Sequence, residues 1–508
     1  MIEQDDLTVK QADYAIFLPA ISSFYGSYIG RQRSSVYVEP TRMPAGIPDM
    51  EQLNWLNPAK GLFPYRWSLY SAGHANLDLK KVDPKEDMIR HRDANTIMLA
   101  DSGGFQIAKG VWPGQWADTS DRAAEKKRRQ VLEWQMGIAD YGMTMDIPTW
   151  TYLDPEASKL CGIHSYDDAV NATQFNNEYW IANRYGKTRI LNVLQGSNHA
   201  EADHWYDLMK HYCDPARYKN HFNGWAMGGQ NMCDVHLVLK RLVHLIHDGL
   251  LQEGAHDWMH FLGTSKLEWA VLLTDIQRAV RQHANPAFTI SFDCASPFLA
   301  TANGQLYHSI TCDNRSKWSY SMSPTADDKK YATDSRSFRD AVVQDGIHLQ
   351  FEDSPISARL KISDVCCYKP GDLNKIGKEG RTSWDSFSYA LLMGHNVWTH
   401  IEAVQRANRL YDSGTCPDMM VHPHDPVYDA RRVIERVFAA RDRQKSLAII
   451  DSHSKIWERI IGTRGFTGKR VWTARPMFNS LFDFEEPQTE EVDLDPAKLE
   501  ALEESVDV

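Results

Sequence analysis

The chain has 508 residues, 43% of them hydrophobic and 24% charged, with a formal net charge of -11 at pH 7. This composition indicates a globular protein with a large core, and no apolar run approaches the roughly 20 residues that a membrane span needs. The negative charge by itself argues weakly against a nucleic-acid partner. Eight cysteines without a dense spacing pattern favour free thiols in a reducing compartment.

Six short apolar runs that end in polar residues or glycine are predicted to be buried strands. They occupy residues 96–104, 142–148, 189–196, 224–229, 259–264 and 288–296. Amphipathic helical patterns lie between them, most clearly over 121–140 and 235–251. Alternating strands and helices predict a parallel sheet. Six units in series fit an α/β fold of the (β/α)8 TIM-barrel type better than an open sheet.

The pattern changes beyond the last of these strands. We expect a TIM-barrel catalytic region over 1–310, a polar insertion or subdomain over 311–385, and a helical C-terminal region over 386–482 that completes the barrel. Helical patterns within the last part cover 384–412 and 429–451. The final segment, 483–508, is heavily acidic and is expected to be a disordered tail.

Polar residues and glycines stand at the ends of the predicted strands. These are Asp101, Asp146, Gln195, Gly228, Gly229 and Asp293. In a TIM barrel the C-terminal ends of the strands converge on one mouth, where catalytic groups lie. Each position taken alone is as well explained by a helix cap or a turn. Their recurrence at successive strand ends favours a common site.

The order of short motifs along these strands resembles the tRNA-guanine transglycosylases. The run LADSGGFQ at 99–106 is followed by MTMDIPT, NVLQG, GWAMGGQ and HFLGTSK, and then by FDCASPFLATANGQLY, which is similar to the nucleophile segment of that family. The resemblance covers about residues 90–310 and returns over 391–412.

The resemblance implies that Asp293 is the nucleophile and Asp101 its general acid/base partner. Exchange of a base breaks an N-glycosidic bond, and a carboxylate can hold the sugar as a covalent ester meanwhile. A second group must protonate the departing base and deprotonate the incoming one. This chemistry follows the logic of a retaining glycosidase, which uses two carboxyl groups placed close together.

The resemblance also implies a pocket for a purine-like base. Asp146 matches the family's base-recognition carboxylate, which accepts from the ring N–H and the amine. The residues that follow it, Ile147 and Pro148, differ from those of the family. The other expected pocket residues contact the acceptor side of the base, form the wall or pack on a ring face: Gln195, Gly228, Gly229, Gln230, Ser102, Gly103, Phe105, Gln106 and Leu262.

One departure from the family favours DNA as the substrate. Where the tRNA enzymes have two arginines after the nucleophile, this chain has Leu299 and Ala302, so cationic contacts are lost. This suits the DNA-guanine transglycosylases of the DpdA type, which insert 7-deazaguanines such as 7-cyano-7-deazaguanine into the DNA of some bacteria and phages. The alternatives are a tRNA or other RNA transglycosylase, a non-catalytic partner subunit of one, or a sugar-directed hydrolase on the same barrel.

A second departure concerns metal. The family has a Cys-x-Cys-x-x-Cys and a later His, whereas this chain offers Cys366, Cys367 and His395. Either these residues hold a structural zinc with a fourth ligand, or they are two core thiols and a helix-capping histidine. No organic cofactor is expected.

The expected partners follow from the proposed chemistry. They are DNA, with tRNA as the alternative, and a 7-deazaguanine base, whereas a homo-oligomer or accessory proteins are left open. No membrane partner is expected, and the location is expected to be the cytoplasm of a bacterium or of an infected host cell. Two basic runs are candidates for phosphate contacts, one over 126–129 and one over 464–475, although such runs are usually solvated surfaces.

Overall fold

The computed structural model describes residues 4–11, 13–30, 40–80, 86–341, 343–344, 347–348, 352–367, 383–421, 424 and 429–460. The predicted acidic tail over 483–508 and the basic run over 464–475 lie outside these residues. The described part contains one eight-stranded, all-parallel sheet and two small antiparallel pairs.

The eight parallel strands form a TIM barrel, as the sequence predicts. They are β1 (Ile16–Pro19), β2 (Trp67–Ser71), β3 (Ile97–Asp101), β4 (Tyr141–Met143), β5 (Arg189–Leu194), β6 (Gly224–Met227), β7 (Trp258–Phe261) and β8 (Thr289–Cys294). β1 pairs with β8, and a parallel bridge between Ala20 and Leu69 joins the β1 edge to the β2 edge. The sheet is thereby nearly closed, so the carboxyl ends of all eight strands face one mouth.

Helices connect the strands and cover the outside of the barrel. They are α1 (Leu7–Lys10), α2 (Ser23–Gly30), α3 (Asp87–Arg90), α4 (Gly104–Ala108), α5 (Arg122–Ile138), α6 (Pro155–Cys161), α7 (Tyr166–Asn183), α8 (His199–Met209), α9 (Val235–His247), α10 (Leu267–His283) and α11 (Ser296–Ala302). Short 3-10 helices lie at Pro40–Arg42, Met50–Leu53, Thr151–Leu153, Lys210–Cys213 and Gly229–Met232. The strands are apolar because both faces of the sheet are covered. Helices cover the outer face, and side chains inside the barrel cover the inner face.

The polar segment after the barrel contains little regular structure. It has the hairpin β9 (Gln305–Thr311) and β10 (Ser319–Pro324), the pair β11 (Val343–Gln344) and β12 (Ile347–His348), and α12 (Ile362–Val365). Further 3-10 helices lie at Lys329–Tyr331, Phe338–Ala341 and Ser357–Arg359. The hairpin spans residue 310, where the sequence analysis places the end of the catalytic region.

The C-terminal helices are α13 (Ser386–Asp412), α14 (Ala430–Ala439), α15 (Arg443–Ser452) and α16 (Ser454–Trp457), with a 3-10 turn at Asp418–Met420. α13 is almost wholly buried and packs on α10, α11 and α2. No helix among the described residues is both long enough and apolar enough to cross a bilayer.

The structure adds to the predicted elements and corrects one of them. All six predicted strands are present, but β1 and β2 were not predicted. The single helix expected over 429–451 is two helices, because Arg441 has a positive φ of 50° and the Asp442 side chain caps the next helix at Lys445 N.

Candidate active site

Asp293 lies near the end of β8 with its carboxylate held from the adjacent strand. Its Oδ1 accepts a hydrogen bond from His260 Nε2 at 3.1 Å and another from the backbone N–H of Gly263 at 3.0 Å. The residue is 9% exposed. The carboxylate is therefore oriented by two fixed donors while it keeps a narrow opening to solvent.

Asp101 ends β3, and its neighbour on β2 fixes its orientation. Ser71 is the register partner of Asp101, and its hydroxyl donates to Asp101 Oδ2 at 2.7 Å. Desolvation raises the pKa of Asp101, and the charge of Asp293 raises it further. The two carboxyl groups therefore interact across the mouth, and Asp101 retains its proton more readily than an ordinary aspartate does.

Asp146 follows β4 and forms a buried pair with Gln195, which follows β5. The Gln195 amide donates to Asp146 Oδ2 at 2.6 Å. Burial raises the pKa of Asp146 to about 7, and the neighbouring charge of Asp101 adds to this effect. Asp146, the predicted base-recognition carboxylate, therefore lies beside Gln195, another predicted pocket residue, and is influenced by the charge of Asp101.

The glycines after β6 allow the backbone to approach the Gln195 side chain. A Cβ on Gly228 would lie 2.6 Å from Gln195 Nε2. Gly229 has a φ of +55°, and a Cβ there would lie 2.4 Å from the carbonyl oxygen of Gly196. At these two positions the close packing requires the absence of a side chain.

We expect Gly229→Ala to lower the free energy of unfolding by about 1–3 kcal/mol, because it combines left-handed backbone strain with a backbone clash. Denaturant unfolding measures this change. The matched control is Gly254→Ala, since Gly254 has a φ of +80° and nothing within 4 Å of its Cβ position. Equal losses for the two variants would show that close packing at Gly229 contributes nothing.

Several polar atoms around the mouth are buried without a hydrogen-bond partner among the described residues. They are Ser102 Oγ, Gln106 Oε1, Gln195 Oε1 and Asn231 Oδ1. Leaving such an atom unpaired costs about 1–3 kcal/mol. A bound ligand with several donors could pair with these atoms, which follow β3, β5 and β6.

The remaining predicted pocket residues lie in the loops after β3 and β7. Phe105 is 41% exposed, and its ring centroid lies 5.9 Å from that of Trp150. Leu262 is partly buried against a small apolar cluster that includes Trp150. Gly103 has a φ of +77° and is the N-cap of α4, and a Cβ on the next residue, Gly104, would lie 2.6 Å from the carbonyl oxygen of Asp146. The side chain of Gln230 lies outside the described part of the chain.

Four residues of the site were missed by sequence reasoning. Three of them, Ser71, His260 and Asn231, contact predicted site residues directly. The fourth, Ser291, contacts His260. His260 and Ser291 could have been found from strand alternation, because each lies two residues from another inward-facing residue of its strand. Ser71 gave no such signal, since β2 itself was not predicted.

Cys366, Cys367 and His395 make separate contacts. His395 Nδ1 lies 2.8 Å from Ser354 Oγ, and its Nε2 lies 3.0 Å from the carbonyl oxygen of Tyr307. Burial lowers the pKa of His395 to about 4, so the ring is neutral. Cys366 Sγ contacts the carbonyl oxygen of Ala326, and Cys367 Sγ lies 3.9 Å from Ser388 Oγ. These contacts are separate, and the described residues include no group of three or more His, Cys, Asp or Glu side chains that could hold a metal. The structural zinc suggested by the sequence stays a prediction.

Metal content tests the zinc suggested by the sequence. We expect the purified, folded protein to contain zinc only if Cys366, Cys367 and His395 form a site with a fourth ligand. Elemental analysis after dialysis against metal-free buffer measures the content, and circular dichroism verifies folding. One equivalent of zinc that is lost in His395→Ala would support the site, whereas a folded, metal-free protein would refute it.

The first basic run is not a uniformly solvated surface. Arg128 is buried, donates to Asn176 Oδ1 at 2.6 Å and lies 4.7 Å from the ring centroid of Phe175. Lys127 lies over the ring of Trp112 at 4.7 Å. Of this run, Arg128 therefore serves the packing of α5 on α7 and is unavailable to a phosphate.

The fold and the site define a (β/α)8-barrel protein with three aspartates and a glutamine gathered at the carboxyl ends of its strands. Comparison of the chain with models of known protein families and with curated proteins found no match.

Proposed function

We propose that this protein is an enzyme, a base-exchange transglycosylase that replaces guanine in DNA with a 7-deazaguanine such as 7-cyano-7-deazaguanine. One observation carries the proposal: two groups of side chains lie at the same mouth of the barrel, one suited to breaking a glycosidic bond and one suited to binding a base. Asp101 and Asp293 lie at the carboxyl ends of β3 and β8, and the charge of Asp293 raises the pKa of Asp101, which suits an acid placed near a nucleophile. Asp146 and Gln195 form a separate buried pair suited to a heterocyclic base.

The proposed reaction has two half-steps. In the first, an oxygen of Asp293 bonds to the anomeric carbon of the sugar as its bond to guanine breaks. The electron pair goes to the departing base, and Asp101 donates the proton. In the second, the incoming base attacks the same carbon, Asp101 takes its proton, and the carboxylate of Asp293 leaves. The raised pKa of Asp101 suits a group that gives up a proton and recovers it.

Base recognition follows from the chemistry of the buried pair. The ring N–H and exocyclic amine of a guanine-like base are donors, and the Asp146 carboxylate is an acceptor. The sequence predicts that Gln195 contacts the acceptor side of the base. Because its amide N–H donates to Asp146 instead, Gln195 Oε1, which has no partner among the described residues, supplies a further acceptor. A sugar would pair less well with these closely spaced acceptors, because its hydroxyl groups do not lie in one plane as the donors of a base do.

DNA is favoured over tRNA by the character of α11, which follows the nucleophile. Leu299 and Ala302 lie in this helix where the resembled tRNA enzymes have arginines. A DNA duplex encloses the target nucleotide, so the enzyme must extrude it or act on a single strand. The mouth of a barrel can receive one extruded nucleotide.

The experiment is base exchange with a labelled 7-deazaguanine or labelled guanine, offered duplex DNA, single-stranded DNA and tRNA in parallel. Label entering DNA alone is the expected result. Label entering tRNA alone would retain the transglycosylase and overturn the choice of polymer. No exchange into either polymer, with folded protein, would refute the proposed activity.

A further inference from the structure

The carboxylate of Asp293 terminates a buried chain of hydrogen bonds that crosses two strands. Trp258 Nε1 donates to Ser291 Oγ at 2.8 Å, and Ser291 Oγ lies 2.9 Å from His260 Nδ1. His260 Nε2 lies 3.1 Å from Asp293 Oδ1. The His260 side chain is 0% exposed, so these contacts define its environment.

Strand geometry explains why these four side chains meet. Side chains two residues apart on a strand share a face, so Trp258 and His260 of β7 point the same way, as do Ser291 and Asp293 of β8. His260 and Ser291 are register partners in the parallel pair. The chain is therefore built by the barrel itself and not by a mobile loop.

The donor and acceptor roles along this chain can be assigned. An indole N–H only donates and a carboxylate only accepts, so Ser291 accepts from Trp258 and His260 Nε2 carries the hydrogen that faces Asp293. In the neutral ring, Nδ1 accepts from the Ser291 hydroxyl, which fixes this tautomer. His260 thus presents an N–H to Asp293 Oδ1 beside the N–H of Gly263.

We propose that His260 and the Gly263 N–H form a two-donor cradle that stabilises the carboxylate of Asp293 as it leaves the sugar. The proposal depends on the proposed function. Both hydrogen bonds described for Asp293 fall on Oδ1, which assigns Oδ2 as the attacking oxygen. In the covalent ester, Oδ1 is the carbonyl oxygen and carries little charge. When the incoming base attacks, the electron pair returns to the carboxylate and the cradle stabilises that charge, as an oxyanion hole does.

His260 is accordingly a positioning residue that governs the second half-step more than the first. In the first half-step the carboxylate loses charge, so its donors oppose attack slightly. In the second it regains charge, so the same donors accelerate release. Loss of the His260 donor should therefore lengthen the life of the covalent adduct, which loss of a purely structural side chain would not do.

The test uses the full chain and single-turnover kinetics of adduct formation and breakdown, followed on denaturing gels with the DNA that supports exchange. His260→Phe removes the donor but keeps a ring, whereas His260→Gln restores an N–H near the Nε2 position. We expect His260→Phe to slow breakdown by roughly 10- to 100-fold relative to formation, so that adduct accumulates. His260→Gln should recover most of this loss.

Ser291→Ala provides a second, milder test should His260→Phe fail to fold. Without the Ser291 hydroxyl, His260 Nδ1 loses the hydrogen bond that holds the ring in place, and we expect a smaller accumulation of adduct. Wild-type breakdown rates in both His260→Phe and Ser291→Ala would overturn the cradle while the transglycosylase stands. An equal loss of formation and breakdown in every variant, Gln included, would assign His260 a structural role only. Absence of any adduct or exchange in the wild type would overturn both proposals.

Discussion

Replacement of Asp293 by Asn is expected to reduce base exchange by roughly four orders of magnitude or more and to remove the covalent enzyme–nucleic acid adduct. An amide cannot form the glycosyl ester, yet it keeps the shape of the carboxylate and one acceptor for His260 and Gly263. Steady-state exchange of labelled base measures the first effect. Denaturing electrophoresis with labelled DNA measures the second.

The control for this experiment is an aspartate of the same chemistry away from the mouth. Asp207 on α8 has a side chain that is 67% exposed and pairs with Lys210. Because exposed ion pairs contribute little, Asp207→Asn should leave exchange and stability near the wild-type values. An adduct that persists in Asp293→Asn would exclude Asp293 as the nucleophile and make Asp101 the next candidate.

Replacement of Asp146 by Asn is expected to weaken binding of the free base by roughly 10- to 100-fold, with little change in DNA affinity. The loss corresponds to removal of charge-assisted hydrogen bonds from the donor edge of the base. Calorimetry with the free base and a DNA-binding titration measure the two affinities separately. Comparable losses in both would refute the assignment of Asp146 to the base pocket.

The pH dependence of base binding should follow the pKa of Asp146, which burial raises to about 7. The carboxylate accepts from both donors of the base edge with its full charge, whereas the protonated carboxyl group keeps one neutral acceptor, so binding strengthens as pH rises. About a tenth of the protein is ionised at this position at pH 6 and about nine tenths at pH 8, which predicts an apparent Kd that falls about 10-fold over this interval. The Asp146→Asn variant should show a flat profile between these two pH values.

The raised pKa of Asp146 also predicts how its ionisation changes the free energy of unfolding. The folded protein binds the Asp146 proton more tightly than the unfolded chain does, so ionisation of Asp146 lowers stability as pH rises from about 4 to about 7. Asn carries no charge to desolvate and should not reduce stability at pH 8. A weaker base affinity in Asp146→Asn is then an effect on binding and not on folding.

The sequence alone determined the fold class and placed three aspartates of the candidate site at strand ends. Six of the eight barrel strands were predicted because a short apolar run that ends in a polar residue is a local pattern. Asp101, Asp146 and Asp293 were predicted to converge because parallel strands place their carboxyl ends at one mouth. In the structure, the charge of Asp293 raises the pKa of Asp101, and the charge of Asp101 raises the pKa of Asp146.

Only the tertiary structure decided which side chains support these aspartates. The contacts of Ser71 with Asp101 and of His260 with Asp293 depend on the register between strands distant in the chain. The burial of Arg128 and the separate contacts of His395 also depend on which distant segments of the chain pack together. Local patterns specify a strand and its end, but register, closure and burial are set by packing between distant segments, which no local pattern of residues records.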